Sequence, residues 1–470
     1  MMTAVRYGLP AVLFVYFAWR STRQRAFLLG IPFLMFQSRA VFLENIKLFS
    51  LPTRLGPAEL MMIWLILVWL LYFDLFLPAR HRLGGRRSQA LGPALSLPEE
   101  IVLIGAAGLG VLEFLLTVLR FGTVASALWQ AKGFVYLFVG YVLLRSIFCH
   151  ASRLDVIDLL TAVIVVNTVA SLLFFLHQGL HLPVYVGLTE HQTVTFMGRE
   201  LTRSFYFMPQ LLAVALAFCF AKPRWGWFWT VVVLVNLAAV WVSYTRVLLV
   251  IVLAELILVL GVRLLKSHQA GRALKRILAL AAIAVVFGAA VFIALPAESR
   301  YFASRIGLTA QSGSIMGDEN LALRFKFLRI VYKSIGAESY LVGQGFAAPH
   351  QEPMARDLYR MSADTVWVPI LYRFGLAGIA VVGLLYGLFI LRALRMGVSG
   401  TGEAEFLALV LLGALAGQFL GGMTSWTILD PVRYPLGLWL FALLAAESYW
   451  RRGEQHATTV PAGVAGQARA

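Results

Sequence analysis

The chain has 470 residues, 60% of them hydrophobic and only 13% charged, with a mean hydropathy of +0.80, which excludes an ordinary soluble domain. Its formal charge of +17, from 40 Lys and Arg against 23 Asp and Glu, would suggest a nucleic-acid binder in a soluble protein. Here the bases fall in short segments between apolar runs, where they act as orientation signals, so no nucleic-acid partner is expected.

The apolar runs, about 17 to 22 residues each, are long enough to cross roughly 30 Å of hydrocarbon at 1.5 Å per residue and lack period-2 alternation. They predict an all-α, polytopic bundle. Met1 to Trp19 has an apolar stretch after Arg6, no small-residue cleavage site, and Arg20, Arg23 and Arg25 behind it, which reads as a retained first helix. Basic clusters at 20–25, 79–87, 145–153, 222–224, 263–276, 392–395 and 451–452 mark the cytoplasmic side. Between them fit out-and-back pairs at 26–43 with 58–77, 101–119 with 126–144, 156–176 with 205–221, 227–243 with 247–262, 277–295 with 364–391, and 405–422 with 434–450. With the first segment this makes about thirteen spans, or twelve if 26–43, which holds Gln37 and Arg39, is not one. The chain divides into N-terminal transmembrane helices (1–295) with an outer loop at 177–204, a large outer loop (296–363), C-terminal transmembrane helices (364–452) and an Ala/Gly-rich tail (453–470) expected to be disordered. Cys149 and Cys219 have no metal spacing and imply no disulfide.

The run from Trp227 to Gly261 would make a helix of roughly 52 Å, too long for one crossing, so it should turn at Ser243-Tyr244-Thr245-Arg246. Arg246 then stands at the outer face, either meeting an anionic group in a cavity or snorkelling to phospholipid headgroups. The loop 177–204 contains His177, His181 and His191 and ends in Arg199 and Arg203. These histidines lack a Cys or carboxylate at ligand spacing, so no metal is expected. In the loop 296–363 an amphipathic helix should begin near 317–320, with Leu321, Phe325, Leu328, Tyr332 and Ile335 on one stripe, Lys326, Arg329 and Lys333 on another, and Gly336 at its end. It could lie in the interface, lid a cavity, or be a packed surface helix with a solvated basic face. The following Gly343-Gln344-Gly345 permits a tight turn but lacks the lysine of a phosphate-binding loop. The outer loop closes at Asp364 and Thr365, where Asp364 can cap the next helix or act as a base.

Taken together these segments resemble the O-antigen ligase and polymerase family of bacterial envelope glycosyltransferases. The ligase signature (His, then Asn, Ser or Gln, nine residues, Gly, two residues, and Gly, Thr or Tyr) is similar in register to Asp364, Thr365, Gly375 and Gly378, with the first two positions changed. Arg203 in TRSFYFMPQLLA, Arg246 in SYTR, and Arg324 with Gly343 and Gly345 match further family features in order and sidedness, and the resemblance covers about residues 155–395. It implies a GT-C-like, metal-independent glycosyltransferase of the inner membrane that uses undecaprenyl-diphosphate-linked glycans at the periplasmic face, with no cofactor. Because the ligase histidine is replaced by Asp364, the resemblance favours the polymerase branch over a ligase-type transferase. A repeat-unit flippase and a chain-length regulator would then be partners.

The chemistry asks for guanidinium forks on the leaving diphosphate and a base for the acceptor hydroxyl. Arg246 and Arg203 are the candidates for the first, with Arg324 and Arg199 in reserve. Asp364 is the candidate base and His350 its rival. Two other classes remain: a transporter or flippase, for which the intramembrane acids Glu113 and Glu255 speak, and a non-catalytic assembly subunit.

Overall fold

The computed structural model of the chain describes residues 62, 65–67, 98–122, 124–182, 191–196, 199–204, 211–221, 226–266, 270–311, 319–335, 339–346, 367–422 and 436–459. The expected spans at Met1–Trp19 and 26–43 lie outside these residues, as does most of 58–77. In chain order the elements are α1 (Pro98–Phe121), α2 (Val124–His150), α3 (Arg153–Gln178), β1 (His191–Phe196), β2 (Arg199–Ser204), α4 (Leu212–Ala221), α5 (Gly226–Val242), α6 (Arg246–Leu265), α7 (Ala270–Ala294), α8 (Pro296–Gln311), α9 (Glu319–Ser334), α10 (Trp367–Ser399), α11 (Gly402–Gly422) and α12 (Leu436–Thr459). Among the described residues, six helices (α1, α3, α6, α7, α10 and α11) are long and apolar enough to cross a membrane. The protein is a polytopic helical bundle.

Each described membrane helix falls on an apolar run named above, and several details differ. Residues 191–204, read as loop, carry an antiparallel hairpin that pairs His191 with Ser204, Gln192 with Arg203 and Phe196 with Arg199; Thr193, Val194, Thr195 and Thr202 supply the β-branched side chains that favour it. The fold is otherwise helical, as the apolar runs predict, and the hairpin is a small addition to it among the described residues. Helix α8 was not expected, although Pro296 at its first position and Glu298 in its first turn are helix-opening residues. Helix α12 runs on to Thr459, so the first residues of the segment expected to be disordered are helical.

Helices α4 and α11 form the centre. Residues 211–220 are all buried, and α11 packs against α4, α6, α10 and α12. Gly413 makes this approach possible, since a Cβ there would stand 2.7 Å from that of Ala213; small residues at helix contacts are how membrane bundles gain packing energy. Helices α3 and α5 are joined by a polar clamp. The buried Asn236 amide donates to Thr168 Oγ1 at 2.9 Å and to the Val232 carbonyl at 2.8 Å, and its Oδ1 accepts from Asn167 at 3.0 Å and Ser171 at 3.1 Å. All of its hydrogen-bonding capacity is thus used inside the bundle.

One end of the bundle is held by ion pairs. Arg145 meets Glu100 at 2.6 Å, Arg392 meets Glu99 at 2.5 Å, Arg153 and Arg451 share Glu447 at 2.8 and 3.0 Å, and Arg263 and Lys266 share Glu405 at 2.7 and 3.1 Å. Glu99, Glu100 and Glu405 lie in the first turns of α1 and α11, where the helix dipole favours a carboxylate. The bases that read as orientation signals are thus also ties between helices. Helix α3 starts beside this ring with a capping box, in which Ser152 Oγ accepts from Asp155 N at 3.2 Å and Asp155 Oδ2 accepts from Ser152 N at 3.1 Å.

Candidate functional site

Arg246 opens α6 and Arg263 closes on the ionic ring; Gly375 lies in α10, whose Arg392 also reaches that ring. Along its own helix each of Arg246 and Gly375 stands roughly 26 Å from the ring. Both therefore belong to the opposite end, and the candidate site is built there.

Its main feature is a break in α10. Gly375 has φ 59° and ψ −154°, a conformation open to glycine and not to residues with a Cβ. The break frees backbone groups on both sides, and the segment 339–346 takes them up. Gln344 N donates to Tyr372 O at 2.8 Å and Gly345 N to Arg373 O at 3.1 Å, while Leu376 N donates to Tyr340 O at 2.8 Å and Ala377 N to Leu341 O at 3.0 Å. Irregular backbone at the edge of a membrane survives only when satisfied in this way. The contact is too close for side chains: a Cβ on Gly343 would lie 2.4 Å from Arg373 O, and one on Gly375 would lie 2.5 Å from Tyr340 O. Gly378 serves the same joint, because a Cβ there would strike Phe374. Phe374 in turn meets Phe134 edge-on with centroids 5.0 Å apart, and Phe346 at 5.4 Å.

A polar stripe on α1 completes the joint. Thr117 Oγ1 accepts from Phe346 N at 2.5 Å and donates to Glu113 O at 2.7 Å. One turn further, Arg120 donates to Gly343 O at 3.3 Å and lies 3.5 Å from Gln344 Oε1. Glu113 is fully buried beneath Gly345, and neither of its carboxyl oxygens has a hydrogen-bond partner. Since Gly343 N bonds Ser339 O at 2.6 Å, every N–H from residue 343 to 346 is spent within the protein. The Gly-Gln-Gly segment is a backbone joint rather than a phosphate cradle.

The turn between α5 and α6 falls at the expected place, with Ser243, Tyr244 and Thr245 buried and Tyr244 at φ 53°. Helix α8 covers it. Tyr301 meets Tyr244 edge-on at 5.2 Å, Phe302 lies 4.6 Å from Trp241, and Trp241 Nε1 donates to Ser299 Oγ at 3.1 Å. Burial, to which the Glu298 carboxylate and Tyr301 add, pushes the Tyr244 hydroxyl well above its ordinary range; it stays neutral at any physiological pH. His181 pairs with the buried Glu298 at 3.1 Å. Among the described residues no group of His, Cys, Asp and Glu is arranged to hold a metal.

Of the residues singled out from the sequence, the structure joins Gly343, Gly345, Gly375 and Gly378 into one unit. Arg246 is the first residue of α6, Arg199 and Arg203 lie in β2, and Arg324 lies in α9. The side chains of these four arginines lie outside the described residues, as do Asp364 and His350 altogether. The glycine joint adds Thr117 and Arg120, which sequence reasoning missed, and gives Glu113 a place. The signal for them was the i, i+4, i+7 spacing of a carboxylate, a hydroxyl and a guanidinium on one face of an otherwise apolar helix. The second intramembrane acid, Glu255, is buried in α6 against the Ala213 backbone at the opening of α4, and neither oxygen makes a regular hydrogen bond. No family model matches the chain, and no curated protein matches it.

Proposed function

We propose that the protein is a GT-C-like polymerase of the bacterial inner membrane that joins undecaprenyl-diphosphate-linked oligosaccharide repeat units at the periplasmic face. The observation that supports this reading is the glycine joint. Gly343 with Gly345, and Gly375 with Gly378, are the two glycine features of the resemblance, and they interlock through four backbone hydrogen bonds at the start of α10. Asp364 and Thr365 shortly precede α10 in sequence. Arg246 opens α6 at the same end.

In the proposed step an acceptor hydroxyl oxygen bonds to the anomeric carbon of the donor repeat unit. The bond from that carbon to the diphosphate oxygen breaks, and the diphosphate leaves with the electron pair. Asp364 takes the hydroxyl proton, and Arg246 and Arg203 stabilise the charge on the departing diphosphate. A single in-line displacement inverts the anomeric configuration. The test is Asp364→Asn and Arg246→Lys in membranes supplied with defined lipid-linked repeat units. Asp364→Asn should leave single units on the lipid while the protein remains folded. Arg246→Lys keeps the charge but loses the fork and should slow turnover at least about tenfold. Undiminished polymer length in the first variant removes Asp364 from the mechanism and passes the role to His350; normal turnover in the second makes Arg246 a headgroup anchor.

Two observations favour a second reading, a polytopic carrier or flippase. Glu113 and Glu255 are buried acids inside the bundle without regular hydrogen bonds, and α10 is broken near one end, both features that carriers use. Movement of a lipid-linked oligosaccharide across vesicles that depends on Glu113 or Glu255, with no new glycosidic bond, would decide for it.

A further inference from the structure

Helix α9 docks on the rim of the glycine joint. Val331 and Ile335, both buried, together with Leu328, pack against Val368, Leu371 and Tyr372 of α10 and Phe121 of α1. This fixes its depth. Helix α1 has 24 residues, roughly 36 Å at 1.5 Å per residue, so Phe121 stands just past the far edge of a hydrocarbon layer of about 30 Å that begins near Glu99 and Glu100. Helix α9 therefore lies at headgroup level.

Its remaining surface is of mixed character and, among the described residues, open except where the Tyr332 ring stacks on Tyr340 at 5.0 Å. Lys326, Arg329 and Lys333 are exposed and, three and four residues apart, line one side. No ion pair ties any of the three to another described residue, whereas Arg145, Arg153, Arg263, Lys266, Arg392 and Arg451 at the opposite end are all paired. Among these cations stand Phe325, Ile330 and Tyr332, which are 44%, 40% and 52% exposed, and beside them Leu341 at 67%. A face meant only for water has no use for an open Phe and Ile; a face meant only for acyl chains would not carry three cations. Cations with interleaved apolar and aromatic side chains at this depth are the chemistry of a surface that binds anionic headgroups.

We propose that this face of α9 docks anionic phospholipids of the surrounding leaflet, with Lys326, Arg329 and Lys333 on the phosphates and Phe325, Ile330 and Tyr332 in the upper acyl region. The surface does not depend on the transferase reading, because it holds the joint at the membrane whatever the joint serves. The test places a bimane fluorophore on Ile330→Cys in the full chain; Cys149 and Cys219 are buried, and a labelling control without Ile330→Cys removes their background. The labelled protein is reconstituted in nanodiscs containing acyl-brominated phosphatidylglycerol or acyl-brominated phosphatidylcholine. Quenching by the anionic lipid should be about twice that by the zwitterionic one. The difference should vanish in K326Q/R329Q/K333Q and in about 1 M salt, where the Debye length is about 3 Å. Weak quenching by both lipids would make this a solvated face, and strong equal quenching an apolar one; either overturns the proposal. So would a difference that survives in the triple variant, or one abolished by stoichiometric undecaprenyl diphosphate, which would assign the surface to that lipid instead.

Discussion

The two ends of the bundle solve the same problem with different chemistry. At one end, helices are tied by carboxylates placed between arginines, as where Arg153 and Arg451 share Glu447. At the other, α10 is broken and the strain is taken up by main-chain hydrogen bonds to residues 340–345, which only glycine at Gly343 and Gly375 permits. Side-chain pairs tolerate changes of length and rotamer. An interlocked backbone does not, so the joint end should be the less forgiving of the two.

The largest effect is expected at the joint. Gly375→Val places a β-branched side chain at positive φ and against Tyr340 O, and should cost at least about 3 kcal/mol, read as a lost or strongly lowered thermal transition in detergent or nanodiscs. A fall no greater than that of Gly383→Val, where a Cβ meets nothing within 4 Å, would break the comparison. Glu447→Ala comes next. It leaves Arg153 and Arg451 facing a gap, and because both guanidinium groups are partly exposed the penalty should be about 2 to 3 kcal/mol, with Glu447→Gln recovering part of it. Glu113→Gln should be the mildest: with no hydrogen bond to lose, the neutral amide should change stability by less than about 1 kcal/mol in either direction. If that variant unfolds the protein, Glu113 has a partner that holds the joint through its charge.

Much of the ionic end was legible in the sequence, and little of the other. Runs of apolar residues bounded by Arg and Lys fix where helices begin and end, and α1, α2, α3, α5, α6, α7 and α11 lie on them because crossing a membrane leaves few alternatives to helix. The turn at Ser243–Thr245 followed from the length of the run and the polar residues at its centre. Chain length could not show that Gly375 interrupts α10, since the run 374–391 is apolar throughout and the break is made by main-chain partners from residues 340–345. Nor could the sequence pair Thr117 with Phe346 or put Arg120 on Gly343: those contacts join α1 to a segment more than two hundred residues later. The hairpin at 191–204 carried its own signal, the consecutive β-branched residues Thr193, Val194 and Thr195, which the membrane setting overshadowed.

The central helix constrains how the protein is made. Every residue of α4 from 212 to 220 is buried, so this stretch depends on its neighbours on all sides. Its closest companion, α11, is synthesised nearly two hundred residues afterwards. During translation α4 must wait in the membrane beside α3, α5 and α6 until the last quarter of the chain emerges and Gly413 seats on Ala213. Truncated chains that end before Gly402 and are released from the ribosome should therefore remain open to membrane chaperones and proteases, and extension through α11 should close that window.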